Sequence, residues 1–207
     1  MIRDPDKHRR RSLRLKGYDY AQAGAYFVTI CTQGRTCLFG EVVDGAMRLN
    51  DAGQMLAALW DDIPARFPDV EMDAFVVMPN HLHGVILLPD AGATTDRATT
   101  RVAPTNRHHG DANTTSVGAP LVGARNGAPT LGDVVGAFKS AATVEYIRGV
   151  KAKGWSEFRR RLWPRNYYEH VIRDEKALNR IRRYIDENPA QWAFDDENPQ
   201  KIASGHT

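Results

Sequence analysis

Two histidines one residue apart, His81 and His83, stand where a Pro79-Asn80 turn meets the apolar run Gly84-Val85-Ile86-Leu87-Leu88. In an extended strand, side chains two apart point to the same face, so both imidazoles project together while Leu82 faces the other way. Their backbone positions lie ~7 Å apart along such a strand, close enough for the rings to converge on one divalent cation. A third protein ligand would complete the site and still leave open positions for a substrate oxygen. The alternative is an ordinary polar pair at a strand entrance.

A second constellation lies in the last third of the chain. From Asp174, a suitable N-cap, the residues Ala177, Leu178, Ile181 and Ile185 recur at helical spacing, and Pro189 marks the end. Tyr184 and Asn188 are one turn apart and share a face of this helix. A phenol that can attack and an amide oxygen that can complete a metal site are thus presented together. The alternative has Tyr184 packing beside Ile181 and Asn188 merely ending the helix before proline. Tyrosine's reference pKa of ~10 leaves little phenolate at neutral pH, so a nucleophilic role requires a proton acceptor or electrostatic help. His170 is a candidate for that task or for a contact behind the metal ligands. Tyr167 and Tyr168 are rival nucleophiles, ranked lower because neither has a ligand one helical turn beyond it.

The elements that must position these groups follow from pattern switches. Residues 25–32, rich in β-formers, read as a first strand. Met55, Leu56, Leu59, Trp60 and Ile63 mark an amphipathic helix between Asn50 and Phe67, ended near Pro64 or Pro68. Residues 72–78 and 81–88 read as two strands whose uninterrupted apolar character requires cover on both faces. Gly132 to Ile147 reads as a second helix and residues 162–172 as a last strand, before the tyrosine helix. The order β-α-β-β-α-β is that of a ferredoxin-like α+β domain, here with an added C-terminal helix. Residues 1–24 form a basic arm, 25–192 the domain, and 193–207 a tail. Residues 89–130, rich in Gly, Ala, Thr, Asn and Pro, form a low-complexity insertion; His108 and His109 within it read as loop residues.

Met78-Pro79-Asn80-His81-Leu82-His83, the segment Trp163 to Arg173 with Tyr167, Tyr168, Glu169 and His170, and Tyr184 with Asn188-Pro189 together resemble the single-tyrosine HUH transposases. More narrowly, they are similar to the REP-associated tyrosine transposases, relatives of small insertion-sequence transposases. The likeness runs from about Leu13 to Trp192, interrupted by the insertion. It implies that His81, His83 and Asn188 bind a divalent metal, Mg²⁺ or Mn²⁺, and that Tyr184 is the nucleophile. It also implies cleavage and rejoining of single-stranded DNA through a 5′-phosphotyrosine, with no nucleotide cofactor, on short palindromes that fold into hairpins. Relatives act as monomers or as homodimers with exchanged tyrosine helices.

Charge distribution is compatible with a polyanionic partner. The formal net charge of +3 on 207 residues is weak evidence, but Arg9, Arg10, Arg11, Arg14 and Lys16 cluster near the start, and Arg165, Arg173, Arg180 and Arg183 lie around the tyrosine helix. Both groups are candidates for phosphate contacts. Cys31 and Cys37 form no zinc-type pair and no disulfide framework, which fits a reducing cytoplasm. No apolar run reaches the length of a membrane span. Two other readings stay open: a two-histidine phosphoesterase that activates water, and a nucleic-acid-binding module without catalysis.

Overall fold

The computed structural model describes residues 22–89 and 128–204. The basic residues at 9–16 and His108 and His109 lie outside them. Strand β1 (Gly24–Cys31) is followed by a small hairpin, β2 (Gly40–Val43) and β3 (Ala46–Leu49), then by α1 (Asp51–Asp61) and the short α2 (Ile63–Arg66). Strands β4 (Glu71–Val77) and β5 (His81–Leu88) precede α3 (Leu131–Lys153), β6 (Tyr168–Ile172) and α4 (Glu175–Glu187). A 3-10 segment, Pro189–Phe194, and α5 (Pro199–Ser204) complete the described chain.

The main sheet runs β4-β5-β1-β6, every neighbouring pair antiparallel. The second large strand in chain order is therefore separated from the first by the third, which is the split βαβ arrangement. The mixed, ferredoxin-like reading of the sequence holds. Period-two alternation sorts the side chains of the central strands into two cores. Tyr26, Val28, Ile30, Leu82 and Ile86 face α1 and α3, where Trp60, Val134 and Phe138 meet them. Phe27, Val85 and Ile172 face the other way and are covered by Leu178 and Ile185 of α4. Both sheet faces are covered, as the unbroken apolar character of β5 required.

The helices begin where the sequence offers caps. The Asn50 side chain accepts from the Gly53 N–H, Asp174 from Ala177, and Thr130 forms a reciprocal capping box with Asp133. Helix α3 runs past Ile147 to Lys153 and stops at Gly154, whose φ of 69° supplies the left-handed cap. One expectation needs correction, and one element was not anticipated. The last strand starts at Tyr168 instead of 162, because Pro164 has no N–H to give a sheet ladder; Leu162 and Trp163 are buried in the α1/α3 core outside the sheet. The β2/β3 hairpin is an added element, turned by Asp44-Gly45 with both residues at positive φ.

Gly84 lies between His83 and the rest of β5, and a Cβ there would stand 2.2 Å from Cζ2 of the Trp60 indole. The bare backbone is what lets α1 press on the strand that carries the histidines. Gly84→Ala should therefore destabilise the domain by about 1 to 3 kcal/mol, read as a lowered urea midpoint with an unchanged slope. Wild-type stability in that variant would show that Trp60 has another packing position.

Candidate active site

Strand β5 places both histidines on the face that α4 covers, and the two rings are almost fully buried. His83 lies opposite Thr29 in the β1/β5 register, so the Thr29 hydroxyl meets His83 Nδ1 at 2.8 Å. His81 Nδ1 is 2.8 Å from the Asn80 side-chain oxygen. The Nε2 atoms of the two rings approach to 3.0 Å. Burial pushes both pKa values down to about 3, helped by the Arg35 charge at His81 and by the neighbouring ring at His83. Both imidazoles are neutral at physiological pH, the state in which they are ligands.

Helix α4 delivers the phenol. Tyr184 Oη is 3.3 Å from His83 Nε2, and its ring packs edge-on against His83 and Phe27. Burial raises the pKa of Tyr184, as does the negative field of Asp195; interaction with the Asn188 side chain opposes them. Asn188, one turn on, is buried, and its Oδ1 has no hydrogen-bond partner among the described residues. The chain thus brings Tyr184 to its own histidine pair.

Sequence reasoning placed everything after residue 192 in a tail and missed Asp195. The 3-10 segment turns the chain back over the site, where the His81 ring stands 6.0 Å from the Trp192 ring. Asp195 Oδ2 lies 3.8 Å from His81 Nε2, and ligand atoms of His81, His83 and Asp195 all fall within 4.8 Å of one another. One Asp195 oxygen accepts from the Glu197 N–H; the other is buried without a hydrogen-bond partner. The acidic run Asp195-Asp196-Glu197 was the only sequence signal, and only the turn at Pro189 gives it a destination.

These residues fit a divalent cation. Ligands about 2.1 Å from Mg²⁺ in adjacent octahedral positions stand about 3 Å apart, comparable to the spacing of the two Nε2 atoms. Asn188 Oδ1 and Asp195 Oδ2 are buried without a hydrogen-bond partner, and a cation would give each of them one. The donor set, imidazole nitrogen with carboxylate and amide oxygen, suits a divalent cation.

The other sequence candidates divide. Tyr167 packs with the α1/α3 core, on the far side of the sheet from the site. Tyr168 lies opposite Thr29 on the site face, half-exposed, with its ring edge-on to Phe27. His170 is exposed on β6 opposite Phe27 and makes no hydrogen bond to the site groups among the described residues. Arg165, Arg173, Arg180 and Arg183 are exposed, and none joins an ion pair among the described residues. Arg182 instead faces the sheet: its Nε and Nη2 bind the two Asp73 oxygens of β4 at 2.9 and 2.7 Å.

Fold and site together define a ferredoxin-like α+β domain with a His-His-Asp cluster of metal-binding type, beside a tyrosine presented on its last long helix. No protein-family model matches the chain. An uncharacterized protein of Haemophilus influenzae is 36% identical over 192 residues, spanning 91% of this chain and 92% of that protein. The chain belongs to the family of that Haemophilus protein. Among solved structures, a REP-associated tyrosine transposase bound to a REP hairpin is 18% identical with a TM-score of 0.47, over 84% of this chain and 71% of that one. A proposed transposase of Deinococcus radiodurans R1 is 19% identical with a TM-score of 0.39, over 84% and 95%.

The Arg182–Asp73 pair ties α4 to β4, and the guanidinium holds the Asp73 carboxyl below its ordinary range. Because the folded pKa is depressed, the stabilisation is complete above the unfolded value of 3.8 and is lost as pH falls below it. With the Arg182 side chain 40% exposed, solvent screening limits the pair to about 0.5 to 1 kcal/mol. A double-mutant cycle with Asp73→Ala and Arg182→Ala should give that coupling at pH 7 and almost none near pH 2. Coupling that persisted at pH 2 would contradict the ion-pair origin.

Proposed function

We propose that this protein is a metal-dependent tyrosine transposase that cleaves and rejoins single-stranded DNA through a 5′-phosphotyrosine. The observation that carries the proposal is the Tyr184 hydroxyl 3.3 Å from His83 Nε2, with a buried, unpartnered Asn188 oxygen one turn along the same helix. Three sequence motifs resembling one transposase family, in family order, support it. Asp195 joins His81, His83 and Asn188 as a proposed ligand.

A divalent cation held by these four residues would supply Lewis acidity at the scissile phosphate. The chain's own contribution is placement. Phe27 and His83 pack against the Tyr184 ring, and the residue as a whole stays about half-exposed, within reach of a strand in solvent. The Tyr184 oxygen attacks phosphorus, the bond to the 3′ oxygen breaks, and that oxygen leaves as a 3′-hydroxyl after taking a proton. The phenolic proton passes to water. A 3′-hydroxyl from another strand reverses the step, because one phosphodiester bond has replaced another. Among the described residues, Tyr184 and the histidine pair meet within one copy of the chain.

Exposed Arg165, Arg173, Arg180 and Arg183, with the N-terminal Arg9, Arg10, Arg11, Arg14 and Lys16, are proposed phosphate contacts. The proposed substrates are short hairpin-forming DNA elements, on the strength of the motif resemblance. The test is incubation with single-stranded hairpin oligonucleotides and Mg²⁺ or Mn²⁺. A covalent protein-DNA adduct is expected with wild type; it should vanish with Tyr184→Phe, with chelator and with His81→Ala/His83→Ala, while hairpin affinity survives. Cleavage without an adduct would instead indicate a phosphoesterase that uses water, and binding alone a non-catalytic module. A nucleotide mapped to Tyr168 would move the nucleophile to β6.

A further inference from the structure

Asn80 is fully buried immediately before the histidine pair, and every polar atom of its side chain is committed. Its Nδ2 donates to two backbone carbonyls, Arg35 at 3.0 Å and Glu197 at 2.7 Å. Both partners are acceptors, so the amide cannot be flipped: its oxygen would then stand against two other oxygens. Oδ1 must therefore face His81 Nδ1, and because an amide oxygen only accepts, His81 must carry a proton on Nδ1. In a neutral ring this leaves the lone pair on Nε2, aimed at His83 and Asp195.

His83 is held differently. Its Nδ1 partner is the Thr29 hydroxyl, which can donate or accept. Without a cation, two bare Nε2 lone pairs 3.0 Å apart would repel, even with the Tyr184 hydroxyl, 3.3 Å away, donating to the one on His83. The contact is favourable only when His83 carries its proton on Nε2 and donates it to His81, with Thr29 donating to Nδ1. With a cation, the same proton belongs on Nδ1, donated to a Thr29 hydroxyl that has turned to accept it. The ring is neutral in both arrangements, and one proton moves from Nε2 to Nδ1 of His83.

We propose that Asn80 is a positioning residue that locks His81 permanently in the metal-ready tautomer, while Thr29 lets His83 switch between a metal-free and a metal-bound tautomer. The proposal rests on the metal site argued above and extends it to residues that touch neither metal nor DNA. It also gives a task to the chain after α4. The Glu197 carbonyl holds Asn80, and the Glu197 carboxylate holds Arg35 at 2.7 Å, so three distant segments meet behind one ligand.

The decisive measurement is the ¹⁵N–¹H two-bond correlation spectrum of histidine-labelled protein, with and without Mg²⁺ and, as a tighter diamagnetic probe, Zn²⁺. His81 should show Nδ1–H throughout, and His83 should change from Nε2–H to Nδ1–H on metal addition. Mn²⁺ affinity, followed by the paramagnetic resonance signal of the free ion, should fall about 10- to 100-fold in Asn80→Ala and stay within threefold in Thr29→Ser. An Nε2–H tautomer at His81 in the wild type, or unchanged Mn²⁺ affinity in folded Asn80→Ala, would overturn the proposal. If Asn80→Ala does not fold, the wild-type spectrum decides by itself. Neither readout uses DNA, so a protein that binds Mn²⁺ as described yet forms no adduct would fail the transposase reading alone.

Discussion

Two imidazole rings held out of water, with their Nε2 atoms 3.0 Å apart, set the terms for the rest of the molecule. Burying four ring nitrogens is unfavourable unless each finds a partner. Two of those partners come from elsewhere in the fold: the Thr29 hydroxyl across β1 and the Asn80 amide at the strand entrance. The other two nitrogens face each other, which is acceptable only if one proton or one cation lies between them. The register of β1 against β5, the antiparallel sheet and the return of the chain after α4 all meet this one requirement.

Cover on the site face comes from an element that also carries the proposed nucleophile. Leu178 and Ile185 of α4 bury Phe27, Val85 and Ile172, and the same helical geometry swings Tyr184 over His83. A single helix thus dries the histidines and presents the phenol. Its half-exposed ring marks the boundary where apolar cover ends, and that boundary is where a substrate strand would have to enter. Arg182 faces Asp73 across the seam between α4 and β4, so rotating the helix to lift Tyr184 away would break two charge-assisted hydrogen bonds.

What the sequence revealed was whatever a fixed local period controls. The strand period put His81 and His83 on one face, and the helical period put Tyr184 and Asn188 on another; both pairings appear in the structure. Asp195 was hidden because its position depends on a turn at Pro189 and a 3-10 segment with no strong pattern of its own. Asn80 looked like an ordinary turn residue, because its two donors are used by carbonyls 45 and 117 residues away. The β2/β3 hairpin carried a readable Asp44-Gly45 turn, yet its four-residue strands are too short for alternation to stand out. Pro164 would have corrected the start of β6, had its missing donor outweighed the aromatic character of the segment around it.

The unpartnered oxygens show how the site and the stability of the fold are coupled. Asp195 Oδ2 and Asn188 Oδ1 are buried with no hydrogen bond to offset their desolvation, a cost borne by the folded chain alone. A cation at the site would remove that cost and bind the folded form in preference to the unfolded one. At a hundred times its dissociation constant, such a ligand stabilises the native state by about 2.7 kcal/mol. Asp195 would be the residue that makes the coupling strong, because a carboxylate gains more from a cation than an amide does. Its place in the segment after α4 means that binding would also tighten the stretch whose Glu197 carbonyl orients Asn80. Metal binding and the docking of the segment that carries Asp195 and Glu197 would then be coupled, through a residue that local sequence patterns assign to a tail, while His81 keeps the orientation that Asn80 gives it.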